Sequence, residues 1–155
     1  MNRALIDRYA AGADVPAKAI AGLDKSELLA FPVPGTWSIQ QIILHLMDSD
    51  LIAADRMKRV AAEDRPTLVG YNETAFSQRL GYEHLSAQAA AELFRLNRQM
   101  TAEILRRLPD EAFQRKGLHT ERGEVTLEQL LTTYTDHLEH HMKFVREKRK
   151  LLGKP

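Results

Sequence analysis

The sequence predicts an all-α fold, a four-helix bundle, and three observations lead there. Long stretches carry apolar residues at three- and four-residue spacing, the repeat of a helix buried on one face. Helix-start signals precede several of these stretches: S-x-x-Q at Ser38 and Gln41, a lone Ser86, and T-x-x-Q at Thr126 and Gln129. Strand signals are nearly absent. β-branched and aromatic residues are sparse, and no hairpin dipeptide sits between alternating runs.

The elements follow in order. Residues 2 to about 23 read as a helical region broken near Gly12 to Pro16, with Asp14 placed to cap the second piece and Pro16 in its first turn. LLAFPVPGTW, with two prolines and a glycine, reads as a loop. Ser38 opens a long helix to about Glu63. EDRPTLVGYN reads as a loop, followed by a short extra helix around Glu73 to Arg79. Ser86 caps a helix to about Leu108, where Pro109 and Asp110 turn the chain. QRKGLHTERGE reads as an irregular loop with two glycines, and Thr126 then starts a last helix to about Leu152. The connections are long enough to permit a crossover between helices.

Composition bounds the function. A chain of 155 residues suits one domain. Lys+Arg is 22 against Asp+Glu 21, a net charge of +1, so no electrostatic footprint for nucleic acid or a membrane surface is present. No cysteine occurs, which excludes disulfides, thiolate metal sites and a cysteine nucleophile. The N-terminal stretch carries Asp7 and Asp14 and is not a secretory signal. No segment approaches the roughly 20 apolar residues of a membrane span, so the expected location is cytoplasmic.

The chemistry lies in two seams. In the last helix Leu130, Tyr134, His137, His141 and Phe144 are spaced four, three, four, three, with Leu127, Leu131, Leu138 and Val145 widening the face. In the helix after Ser38, Ile42, His45, Ser49 and Ile52 keep the same spacing. Three imidazoles therefore interrupt stripes that should face the core. A buried polar ring without a partner costs about 1–3 kcal/mol. Convergence on one metal ion would explain all three, since neutral imidazole suits zinc, nickel, copper or iron. Three protein ligands would leave open positions for water or substrate. A metal-free network of hydrogen-bonded core histidines is the competing reading. His140 points about 100° away and belongs at a rim, while His84 and His119 lie outside the seams and read as structural or exposed.

GTWSIQQIILHLMDSD, YNETAF, LHTERGEVTL and YTDHLEHHMKF, in this order and spacing, resemble the DinB/YfiT-like superfamily, and most of all its YfiT branch of metal-dependent hydrolases related to bacillithiol transferases. The similarity runs from about residue 12 to residue 147. The resemblance implies a four-helix bundle with a crossover connection. It also implies a divalent metal, often nickel or zinc, held by three histidines. The family's first ligand follows W-[ST]-x-x-Q, which is His45 here, and its helical pair falls on His137 and His141. Two departures bear on the pocket: Asp136 stands where close members carry an aromatic residue, and H-P-[ED] becomes His119-Thr120-Glu121. Relatives are often dimers, so a homodimer is expected.

The expected function is a metal-dependent enzyme, either a hydrolase or a thiol S-transferase acting on a small electrophilic molecule. The second scheme needs an external low-molecular-weight thiol. The alternative is a non-catalytic metal-binding or stress-response bundle. Asp48, three residues past His45, is the candidate catalytic residue, orienting a ligand histidine or a bound water; otherwise it is a solvated arginine partner. Asn72 and Glu73 either reach the pocket mouth or cap the short helix. Tyr134 either donates to substrate or is core with its hydroxyl satisfied, and Trp37 packs as a staple on the second long helix.

Overall fold

The computed structural model describes residues 2–155. Four long helices form the bundle: α1 (Arg3–Ala11), α4 (Ile39–Ala62), α6 (Ala87–Arg107) and α7 (Leu127–Leu151). Three short ones accompany them: α2 (Val15–Ala19), α3 (Lys25–Leu29) and α5 (Glu73–Arg79). Both α1 and α4 pack against α6 and α7, so α1 and α4 occupy opposite corners. The chain thus passes diagonally from α1 to α4 and again from α6 to α7, the crossover arrangement expected. No helix among the described residues is long and apolar enough to cross a membrane.

The caps are built as the sequence predicts. Ser38 accepts from Gln41 N while Gln41 reaches back to the Ser38 backbone, and Thr126 and Gln129 repeat the exchange. Ser86 accepts from Ala89 N, and Asn72 from Ala75 N. Asp14 departs from expectation. Its backbone is helical (φ −86°, ψ −6°), a conformation that turns the carboxylate away from the N–H groups ahead, and it makes no side-chain cap. Helix α3 lies in a region that reads as loop. Its start is a full capping box between Asp24 and Glu27, a signal placed between a glycine turn and two prolines.

A small sheet corrects the expectation of an almost strand-free chain. β1 (Thr67–Leu68) pairs in parallel with β2 (Lys116–His119), and β2 pairs antiparallel with β3 (Gly123–Thr126). The residues of β2 that face inwards are Gly117 and His119, while Leu118 points out. The usual alternation of apolar-in and polar-out is therefore missing, and the strand leaves no hydrophobic signature. Gly117 is required by contact: a Cβ there would lie 2.9 Å from both Val60 and Leu68 side chains. The sheet is thereby pressed onto the end of α4.

The apolar core falls into two clusters. One holds Ile39 to Leu46 of α4 with Phe94, Leu138, Met142 and Val145; the other holds Ala53, Met57 and Val60 with Ala102, Leu105 and Leu127 to Tyr134. Each fully buried large aliphatic contributes about 1.5–3 kcal/mol. Between the clusters lies a polar layer centred on Arg98 and Asp50, each 2% exposed. Arg98 Nε donates to Asp50 Oδ1 (2.9 Å), Nη1 to Tyr9 O (3.3 Å) and Nη2 to Tyr134 O (2.7 Å). Asn97 completes Asp50 from Oδ2 (2.8 Å). The guanidinium is sandwiched between Tyr9 and Phe94, 4.3 and 4.6 Å from the ring centres. One side chain thus joins α1, α4, α6 and α7.

Removing one partner of such a pair strands the other charge in the core. Asp50→Ala is expected to lower unfolding free energy by about 3–5 kcal/mol. Asp136→Ala, which breaks an exposed pair with Arg8 (2.8 Å), should cost about 1 kcal/mol or less. Urea titrations of both variants check this; equal losses would deny the buried layer its role.

Candidate metal centre

Helices α4 and α7 face each other across the bundle, and each brings its interrupted seam to the same place. His45 Nε2 lies 3.1 Å from His137 Nε2, which lies 3.1 Å from His141 Nε2. The three candidate ligand atoms are all within 4.8 Å of one another. An imidazole nitrogen carries either one hydrogen or one in-plane lone pair. His137 Nε2 therefore satisfies only one of its two neighbours by a hydrogen bond. A cation at their common focus would satisfy all three lone pairs. Nitrogens about 2.0–2.1 Å from a tetrahedral ion stand roughly 3.3 Å apart, close to the spacing found. The donor set fits a divalent transition metal.

Electrostatics prepares the same state. Burial first, then the charge of His141, lowers the His45 pKa to about 3. Burial and neighbouring cationic groups, His141 foremost, lower His137 to about 3; burial and His140 lower His141 to about 4. All three rings are neutral at pH 7, the form that binds a metal. Trp37 backs the cluster, its ring centre 4.9 Å from that of His45 and 6.2 Å from that of His141, nearly parallel to the latter. It packs against the core as expected, and it also limits where two of the imidazoles can turn. Tyr71 Oη lies 3.5 Å from His45 Nδ1, placed to accept its N–H and leave Nε2 as the ligand atom.

Two rings of the triad, His137 and His141, line a cleft of about 740 Å³, with Ser49, Tyr71, Glu73, His119 and Tyr134 on its walls, while His45 is buried and does not line it. Glu73 leaves the cap of α5 to Asn72 and brings Oε2 to 3.5 Å from His45 Nε2. Tyr134 lines the cleft, its hydroxyl accepting from Arg56 Nη1 (2.5 Å). Asp48 is placed elsewhere. It accepts a hydrogen bond from Tyr82 Oη, and among the described residues it bonds none of the three histidines and pairs with no arginine. A residue three positions past His45 is turned about 60° off the His45 stripe, enough to aim it at the 3₁₀ turn Tyr82–His84.

His140 sits exposed at the cleft rim, as expected, and His84 is exposed beside Glu83. His119 is buried on the cleft wall, where Nδ1 accepts from Glu121 N (3.2 Å). Sequence reasoning missed Arg56 and Tyr71. Arg56 had a signal, since 45, 49, 52 and 56 continue the four-three-four spacing of the seam. Tyr71 comes from a loop and had none. The two family departures also find partners: Asp136 pairs with Arg8, and Thr120 donates its N–H to Leu68 O and accepts from Gly70 N. A proline at residue 120 could not donate the first of these bonds.

A family model described as the DinB superfamily matches residues 10–145. A relative from Bacillus subtilis, "Putative metal-dependent hydrolase YfiT", is 30% identical over 145 residues, covering 90% of this chain and 81% of its own. A relative of the same designation from Halalkalibacterium halodurans is 26% identical over 125 residues, 81% of this chain and 72% of its own. The solved structure of YfiT from Bacillus subtilis, described as an unusual four-helix bundle topology, matches with a TM-score of 0.90 at 24% identity, covering 97% of this chain and 87% of that one.

The depressed imidazole pKa values set a pH dependence. Between the ordinary value of 6.5 and about 3, the unfolded chain binds protons that the folded chain refuses. Metal-free protein should therefore hold its full stability above about pH 6.5 and lose it as pH falls towards 3. Urea midpoints measured from about pH 7.5 down to about pH 4.5 should fall, and His137→Phe should flatten the slope. Identical slopes would mean that His137 is not held neutral by the fold.

Proposed function

The chain belongs to the DinB superfamily, and from that premise we propose that it is a metal-dependent hydrolase acting on a small molecule in the cleft. One observation carries the reading: three neutral imidazole nitrogens converge, two of their rings lining an open cleft and the third 3.5 Å from the carboxylate of Glu73 on that cleft's wall. The designation of the relatives supports it. His45, His137 and His141 would hold the ion; an all-imidazole donor set suits zinc, nickel, copper or iron, and the family resemblance favours nickel or zinc. A divalent ion bound there would supply Lewis acidity toward water and a substrate carbonyl.

The protein's own groups do the rest. Glu73 Oε2 is placed to take a proton from a water entering beside His45 and to return it to the leaving group. Tyr71 fixes the His45 tautomer. Trp37 closes the back of the triad against solvent. A second reading, thiol S-transfer, finds support in the size of the cleft. About 740 Å³ admits two small molecules, and a chain without cysteine would need an external thiol.

Elemental analysis tests the site. Wild type should carry about one transition metal per chain, and His45→Ala and His141→Ala should lose it. Glu73→Gln should keep the metal and lower kcat on generic esters or amides by about 10²–10⁴-fold. Turnover that appears only when a small thiol is added would select the S-transferase. Protein that stays empty when offered nickel and zinc would end the metal reading, and metal-loaded protein inert on every substrate would be a binding bundle.

A further inference from the structure

Arg56 is the odd residue of the cleft. It is 7% exposed, and no carboxylate pairs with it among the described residues. Its two hydrogen bonds go to neutral acceptors, Tyr134 Oη and Val69 O, both 2.5 Å away. Its Nε is enclosed and has no acceptor among the described residues. Burying a charge is costly unless an opposite charge compensates it. Every other buried cation here is explained. Arg98 has Asp50, and Lys148 Nζ donates a hydrogen bond to Thr36 Oγ1, its pKa lowered by burial. A guanidinium stays protonated even when buried.

Arg56 does not stand alone. Arg122, in the β2–β3 turn, lines the same cleft and likewise has no ion pair among the described residues. His119 lies on the same wall. Burial first, then the charges of Arg56 and Arg122, lower its pKa, and Glu121 raises it. Its Nδ1 accepts from Glu121 N, leaving Nε2–H as a further donor. Of the acidic groups of the cleft, Glu73 lies at the triad, while Glu121 precedes Arg122 and packs its carboxylate over Gly70.

We propose that Arg56, Arg122 and His119 form an oxyanion-binding subsite, so that the substrate is a small molecule carrying a carboxylate or phosphate at one end and its reactive centre at the other. The inference rests on the hydrolase reading of the triad. His45 and Arg56 share a stripe of α4, about 16 Å apart along the axis. Tyr134 fills the interval, accepting from Arg56 and standing one turn before His137. The ring centres of Tyr134 and His137 are 6.5 Å apart. Anchoring the anion at Arg56 would hold an elongated molecule along the cleft with its far end at the metal. Bidentate pairing would fix its orientation as well as its charge.

The test uses full-length, metal-free protein, with succinate and inorganic phosphate as probes and neutral succinamide as the control. Calorimetric or NMR titration should show saturable binding of at least one anion and none of succinamide. Arg56→Gln and Arg122→Gln should each weaken that binding by about tenfold or more, while His45→Ala leaves it unchanged. The tighter of the two anions names the group. If Arg56→Gln fails to fold by circular dichroism, Arg56→Lys and Arg122→Gln carry the comparison. Absence of binding, binding indifferent to both arginines, or loss in His45→Ala alone would each overturn the subsite. Because no metal or turnover enters the readout, failure of the hydrolase reading would be seen separately.

Discussion

The Arg98–Asp50 pair is the constraint on which the arrangement depends. A guanidinium with 2% exposure has to find its acceptors within the fold, and here they come from three other helices. Apolar packing alone tolerates small slides of one helix along another, because one methyl group replaces the next at little cost. A buried charge does not, since each slide strands a donor. Asp50 lies five residues after His45, and Tyr134 three before His137. The pair that sets the register of α4 against α7 thereby sets the meeting of the histidines. Gly12 belongs to the same constraint. A Cβ there would stand 2.7 Å from Arg98 Nη1 and 2.6 Å from Leu138 Cδ2, so α1 reaches the guanidinium only because it ends on glycine.

The triad sits within one apolar cluster rather than in the polar layer: Leu44 and Leu46 flank His45, Leu138 and Met142 flank His141, and His137 stands next to the changeover between Tyr134 and Leu138. Burial keeps the imidazoles neutral, while crowding their nitrogens at 3.1 Å prevents them from satisfying one another fully. Stability alone has no use for that combination. It is the donor set that a divalent cation would suit.

How far the sequence reveals this differs by residue. His45, His137 and His141 are legible because each interrupts a seam whose period is plain. Trp37 is legible as core but not as the wall behind two imidazoles, since its partners lie on different helices. Arg98 carries no local signal: nothing in the sequence around it distinguishes it from Arg95, which pairs with Glu92 at the surface. Strand β2 is silent because glycine and histidine fill its inner face. Glu73 was weighed for the pocket mouth, but its approach to His45 depends on how a loop hangs from that unseen sheet. Asp48 shows the converse: proximity in sequence to a ligand suggested a role that helical rotation points elsewhere. The four-helix bundle itself was legible, because helices long enough to carry capping boxes and whole seams advertise themselves.

The small sheet has a consequence for how such a protein could diversify. The three candidate ligands stand on long helices locked by the buried pair, whereas Tyr71, Glu73, His119 and Arg122 come from the segments around β1 and the β2–β3 turn. Those segments hold each other through β1–β2 pairing and through Thr120, which bonds both Leu68 and Gly70. The scaffold that holds the triad and most of the cleft wall are therefore separable inheritances. Mutation can rewrite the second, two short strands and their loops, without asking the bundle to refold. A lineage built on this plan would reshape its cleft more readily than its triad.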